Sequence, residues 1–215
     1  MKTVASKQRN GALTLVEFVV VLFSLFILAI LLLPALSAPR VKNALGCMNQ
    51  LKRTGSAVRV WEGDQADKYS LALTATNGGG VAENIFAALS NELRSTKVLI
   101  CPADRNRLPA SSFRTLTSRN ISYFVNLDAN EADPQDILMG DDNLMVRGIR
   151  VKSGVFVVSN NFPIAWTADR HRFCGNLAMA DGSVLAANNF TFAAYQRSTN
   201  TVPATNTISM RLAIP

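Results

Sequence analysis

The sequence predicts an α+β protein: a long N-terminal helix packed on a head of mostly antiparallel strands with short helices. Three observations carry that expectation. Residues 18–36, FVVVLFSLFILAILLLPAL, hold no charge, and the segment after them keeps a helical period. Short runs rich in β-branched and aromatic residues then follow, punctuated by Pro, Gly and Asn. Finally, Asp181 and Gly182 stand between LAMA and SVLA, the composition of a two-residue hairpin turn with positive φ at both positions.

The helix comes first in the chain. Nineteen residues at about 1.5 Å each span roughly 28 Å, close to the ~30 Å hydrocarbon core of a bilayer. Lys2, Lys7 and Arg9 precede the run and supply three of the positives behind a formal charge of +7. Such a leader keeps the N-terminus in the cytoplasm and sends the remainder across. Pro34 is expected to kink or end the helix. Beyond it, Val41, Ala44, Leu45, Met48, Leu51, Gly55 and Val58 recur at spacings of three and four. Arg40, Lys42, Lys52, Arg53 and Arg59 fall largely outside that stripe, so this half reads as an amphipathic helix docked on a domain. Pro39 is the weak point of a single continuous helix.

Glu17 stands at the head of the apolar run. An acid deep in a bilayer costs about 2.5–3.5 kcal/mol and marks a functional residue by default. GALTLVEFVVVLFSLFILAILLLPAL, residues 11–36, resembles the N-terminus of type IV prepilins and type II secretion pseudopilins. In that family a basic leader ends in a small residue, usually glycine, and a glutamate lies fifth in the mature chain. Cleavage between Ala12 and Leu13 would place Glu17 fifth and Pro34 twenty-second, where the family commonly has its proline. Ala12 in place of glycine is a departure; cutting after Gly11 restores the glycine but shifts Glu17 out of register. The resemblance implies that Glu17 meets a free α-amine, that of Leu13 or of the next subunit, and so sets assembly register.

The head begins after Trp61. EGDQADKYS and TNGGG read as connectors. VAENIFAALSNEL has helical spacing through Val81, Ile85, Phe86, Leu89 and Leu93, with a cap expected from the preceding connector. STKVLICPAD reads as a short buried strand ended by Pro102, NISYFVNL and GVFVVSN as further strands, NFTFAAYQRS as a short helix, and ISMRLAIP as a closing strand or tail. The division is a leader over 1–12, a membrane-spanning then amphipathic helix over 13–61, and a head over 62–215.

Histidine occurs once, at His171, and opens HRFCGNLAMADGSV. Histidine, nine residues, then Asp-Gly is similar to the C-terminal motif of many prepilin-like proteins, here His171, Asp181 and Gly182. CMNQLKRTG and ICPAD resemble further segments of that group. His171 is expected to hydrogen-bond across the hairpin or to a neighbouring subunit. A nucleophile read from His171, Cys174 and Asp169 lacks any oxyanion donor that the sequence can name, and no enzyme activity is expected.

Cys47, Cys101 and Cys174 do not form a disulfide scaffold. Outside the cytoplasm a Cys47–Cys101 bridge is open, with buried free thiols as the alternative. With one histidine and no CxxC, the linear spacing offers no structural zinc site, and no metal or other cofactor is expected. Calcium on the acidic residues Asp128, Glu131, Asp133, Asp136, Asp141 and Asp142 is the exception, because pseudopilins of the main type often carry it. The EF-hand glycine and terminal glutamate are missing, however. Arg105, Arg107, Arg114 and Arg119 form a basic stretch. Both charge blocks read as solvated loops or as complementary surfaces between subunits. No aromatic platform interleaves the arginines, so no nucleic-acid partner is expected.

The resemblance therefore implies a pseudopilin or pilin-like subunit in the inner (cytoplasmic) membrane, its head in the periplasm, assembling with copies of itself and other pilin-like subunits. A prepilin peptidase that also methylates the new N-terminus, and an assembly platform driven by a cytoplasmic ATPase, are the partners it implies. Two other readings stay open: a minor pilin-like receptor whose head binds a ligand, and an exported soluble domain whose apolar run is a cleaved signal ending before Ala38.

Overall fold

The computed structural model describes residues 14–37, 39–64, 80–129, 133–158, 164–189 and 210–215; the side chains of 32–44 lie outside that description. The chain falls into two compact units, 1–41 and 42–215. The boundary therefore lies well before residue 61, and most of the amphipathic segment belongs with the head.

In the first unit, helix α1 runs from Leu15 to Ser37, 23 residues. Pro34 does not end it. Its described side chains are all exposed, from Leu15 at 80% to Leu31 at 68%. Among the described residues no helix is long and apolar enough to cross a membrane. A second helix, α2, takes Pro39–Asp64, with proline at the first helical position, where its missing N–H costs nothing.

In the second unit α2 buries Cys47, Leu51, Thr54, Gly55, Ala57, Val58 and Glu62. This face is rotated from the predicted stripe: Leu45 is 56% exposed and Met48 only half-buried. Gly55 stays on the buried face and packs over Ala178, where an added Cβ would make ordinary contact, 3.5 Å, with the alanine Cβ. Helix α3, Val81–Ala88, continues through Leu89 into a helical turn, Ser90–Leu93, and buries Ile85, Phe86, Leu89 and Leu93 as its period predicts. Gly80 occupies its N-cap and offers no side-chain cap.

STKVLIC is buried but is not a strand. Thr96–Leu99 form a 3₁₀ turn whose N-cap Ser95 accepts a hydrogen bond from Lys97 N at 3.4 Å. Ile100 N bonds back to Lys97 O, and Leu99 O accepts from Ser122 N at 2.8 Å. Local bonds thus satisfy this backbone, and Pro102 has no N–H with which to extend a ladder.

Among the described residues nine strands follow: β1 Tyr123–Asn126, β2 Ile137–Asp141, β3 Leu144–Val146, β4 Ile149–Arg150, β5 Gly154–Val158, β6 Ile164–Trp166, β7 Cys174–Met179, β8 Val184–Asn188 and β9 Met210–Ile214. A six-stranded sheet has the order β5-β9-β1-β2-β7-β8 and a three-stranded one β4-β3-β6, every pairing antiparallel. The expectations for NISYFVNL, GVFVVSN and ISMRLAIP thus become β1, β5 and β9. The predicted helix in NFTFAAYQRS falls outside the described residues beyond Asn189. Alternation along β1 sets the layers: Tyr123 and Val125 enter the core beneath the helices. Phe124 points the other way and packs with Trp166, Leu144 and Leu177 in a second core that the small sheet helps to enclose.

The β7–β8 connection is a three-residue loop. Met179 N bonds to Ser183 O and Gly182 N to Met179 O, each at 2.9 Å. Within it only Gly182 has positive φ, +84°, and Asp181 Oδ1 accepts from Ser183 N at 2.7 Å. The turn is type I with glycine at the left-handed position, in place of the predicted two-residue turn. Arg59 on α2 donates to Asp181 O at 3.0 Å.

One surface pair ties the C-terminal strand to the rest. Arg211 donates through Nε to Asp128 at 3.0 Å and through its backbone N at 2.8 Å. Burial opposes it, but the hydrogen bonds and charge of Arg211 hold the Asp128 carboxyl below its ordinary value. A depressed carboxylate stabilises the fold above the unfolded Asp range, near about 3.9, and loses that contribution as pH falls through the lower folded value. Both side chains are partly exposed, so screening limits the effect to about 0.2–1 kcal/mol. Asp128→Asn should lower stability by that amount at neutral pH and flatten the acid limb; urea titrations at several pH values measure both.

Candidate metal centre

Four side chains from four places in the head converge. Cys47 lies on the buried face of α2, one turn before Leu51. Cys101 lies two residues beyond the end of the 3₁₀ turn at Leu99, directly before Pro102. Asp141 ends β2, and His171 sits in the loop before β7. One ligand-type atom from each, two Sγ, an imidazole nitrogen and a carboxylate oxygen, lie within 4.8 Å of one another. Cys47 Sγ is 3.3 Å from Asp141 Oδ1 and Cys101 Sγ 3.3 Å from His171 Nε2. His171 Nε2 is also 3.6 Å from Asp141 Oδ2.

A second layer holds these groups. Asn176 donates its backbone N and its Nδ2 to Asp141 Oδ2 at 2.7 and 2.8 Å. Tyr123 OH stands 3.6 Å from Cys47 Sγ and donates to Gln50 Oε1 at 3.2 Å. Arg170 places Nη1 3.8 Å from Asp141 Oδ1, pairs with Asp104 at 3.2 Å and with Asp142, and donates to Ser122 O at 2.8 Å. Arg107 reaches Asp142 at 2.6 Å.

The electrostatics follow from that crowding. The Cys47 contact, assisted by His171, brings the Cys101 thiol down to about 6 against the opposing effect of burial. The same contact, burial and the Asp141 charge push Cys47 up. Burial raises Asp141, opposed by His171, Arg170 and Asn176. Burial works against charging His171, but Cys101 and Asp141 outweigh it and its value rises.

The arrangement differs from a nucleophilic triad. A triad needs the thiol on one imidazole nitrogen and the orienting acid on the other, whereas here Nε2 faces both Cys101 and Asp141. Cys174 and Asp169 are not part of it: Asp169 pairs with Arg150 at 2.6 Å. The loop before β7 turns His171 Nε2 in toward Cys101 and Asp141. Cys47 and Cys101 are free thiols, brought together as the sequence allowed. Asp181 and Gly182 form the β7–β8 turn, to which Arg59 donates at Asp181 O.

The charge blocks divide: Arg105, Arg114, Arg119 and Asp133 are exposed, as solvated loops would have them, while others are drawn inward. Asp141 and Asp142 are buried and faced by Arg170 and Arg107, and Asp128 is taken by Arg211. These three carboxylates therefore have cationic partners within the chain. Glu131 lies outside the described residues, as do Ala12 and Leu13. Sequence reasoning missed Asp141 as a site residue and missed Arg170. It also missed Thr14, whose N and Oγ1 donate to Glu17 Oε2 at 2.8 and 2.9 Å while Glu17 N donates to Thr14 Oγ1 at 3.3 Å. That is a capping box, legible as T-x-x-E before an apolar run.

Fold and site together define an α+β head with an all-antiparallel sheet and a buried cluster of two cysteines, one aspartate and one histidine. The chain matches no protein-family model, no curated protein and no solved structure.

Proposed function

We propose that this chain is a pilin-like structural subunit, held in the inner membrane by its N-terminal helix and cleaved between Ala12 and Leu13. Its mature form then polymerises into a pseudopilus or pilus-like filament. One observation supports this most. Helix α1 presents apolar side chains at every described position from Phe18 to Leu31 except Ser24, all of them exposed. An apolar surface of that size needs a cover: bilayer before assembly, neighbouring copies after it. A prepilin peptidase and an ATPase-driven assembly platform follow from the same reading, and the head in the periplasm supplies the filament surface.

The test separates the two roles open to Glu17. Glu17→Gln keeps a capping-box partner for Thr14 but removes the charge, whereas Thr14→Ala removes the cap at about 0.5–2 kcal/mol. Glu17→Gln should abolish recovery of the chain in sheared filaments, and Thr14→Ala should leave it. Wild-type recovery of Glu17→Gln, or a native chain beginning at Ala38, overturns the proposal.

A further inference from the structure

We propose that Cys47, Cys101, Asp141 and His171 bind one divalent transition-metal ion, zinc by preference, at a site that locks α2, the segment after the 3₁₀ turn, β2 and the loop before β7 together. The inference does not depend on the filament reading.

The spacing of the four groups is small enough for one tetrahedral ion. Zinc bonds of about 2.3 Å to sulfur and about 2.0–2.2 Å to nitrogen and oxygen give ligand-to-ligand edges of roughly 3.3–3.8 Å. Cys101 Sγ lies 3.3 Å from His171 Nε2, Cys47 Sγ 3.3 Å from Asp141 Oδ1 and His171 Nε2 3.6 Å from Asp141 Oδ2, and one ligand atom from each of the four residues lies within 4.8 Å of the others. Donor chemistry selects the ion. Calcium and magnesium take oxygen ligands, whereas two thiolates with an imidazole and one carboxylate suit zinc.

The surroundings match a structural rather than an open catalytic site. Cys47, Cys101 and Asp141 are fully buried, and only the His171 edge, with its side chain 11% exposed, reaches outward. Asn176 fixes the Asp141 carboxylate through two hydrogen bonds, the kind of outer support that orients metal ligands. On binding, any proton still held by Cys47, Cys101, His171 Nε2 or Asp141 passes to solvent as that group becomes a ligand, and no electron is transferred.

The experiment uses the full chain, purified in detergent without chelator. Metal content by mass spectrometry, and cysteine state by intact mass under denaturing, non-reducing conditions, are read on the same sample. We expect about one zinc per chain and no bridge. Cys101→Ser and His171→Ala should lower occupancy at least about tenfold, and Cys174→Ser should leave it unchanged. Because a ligand variant can fail to fold, the wild-type chain is also loaded with Co2+. A thiolate-to-cobalt charge-transfer band with intense visible bands supports a tetrahedral sulfur site. A Co2+-loaded chain lacking that band overturns the proposal, as does a native Cys47–Cys101 disulfide or a reduced chain that takes up no Zn2+.

Discussion

Replacing Arg170 with methionine should destabilise the head by about 3–5 kcal/mol, the usual cost of breaking a buried ion-pair network by removing one partner. The guanidinium is 4% exposed and faces Asp104, Asp141 and Asp142 at once, and it also satisfies the carbonyl of Ser122. Methionine fills comparable volume but leaves three carboxylates in a low-dielectric interior. Arg107 offsets only part of this, reaching Asp142 at 2.6 Å and Asp104 at 3.6 Å. Lysine should rescue little, because one ammonium cannot span the positions that the planar fork covers. For a domain of this size the loss corresponds to a melting temperature lower by about 6–20 °C. Urea denaturation of the full chain in detergent, followed by tryptophan fluorescence, measures it. A cost below about 1 kcal/mol would show that the network contributes nothing beyond the charges it cancels.

The second large effect is expected at Trp166. Its side chain is fully buried between the two sheets and lies directly over Gly175: a Cβ there would stand 2.2 Å from indole Cε2 and Nε1. Trp166→Ala should cost about 3–5 kcal/mol, since it removes the largest buried side chain and leaves a cavity. Gly175→Ala should cost about 1–3 kcal/mol by forcing the ring to move. The pair must couple. In the Trp166→Ala background Gly175→Ala should become nearly neutral, because the ring that it strikes is gone. Additive penalties in that double-mutant cycle would sink the packing argument. The indole also stands 3.4 Å from Asp141 O through Nε1, so its loss should loosen the end of β2 that carries the site.

Local patterns carried much of the fold. The period of VAENIFAALSNEL placed Ile85, Phe86, Leu89 and Leu93 in the core, because one helix face is set by spacing alone. Tyr123–Asn126, Gly154–Val158 and Met210–Ile214 were readable as strands from their side chains. STKVLIC has the same composition but forms a 3₁₀ turn, because its carbonyls and N–H groups find partners along the chain and at Ser122 rather than in a ladder. The Asp181–Gly182 turn implied the β7–β8 pair as well, but β2 was hidden. β2 ends in the acidic run, and Asp141–Asp142 look solvent-facing until the arginines that neutralise them are in place.

By itself, then, the sequence determined the apolar N-terminal helix, the T-x-x-E box that caps it, the α+β class and a turn at Asp181–Gly182. Each depends on neighbours within a few positions of the chain. Only the tertiary structure decided which face of α2 is buried, where Arg170 ends, and that Cys47, Cys101, Asp141 and His171 meet. These four lie in separate elements that α2, the 3₁₀ turn and the β2–β7 pairing bring together. Linear spacing holds no record of that meeting, because chain folding rather than helical or strand period sets the distances between them.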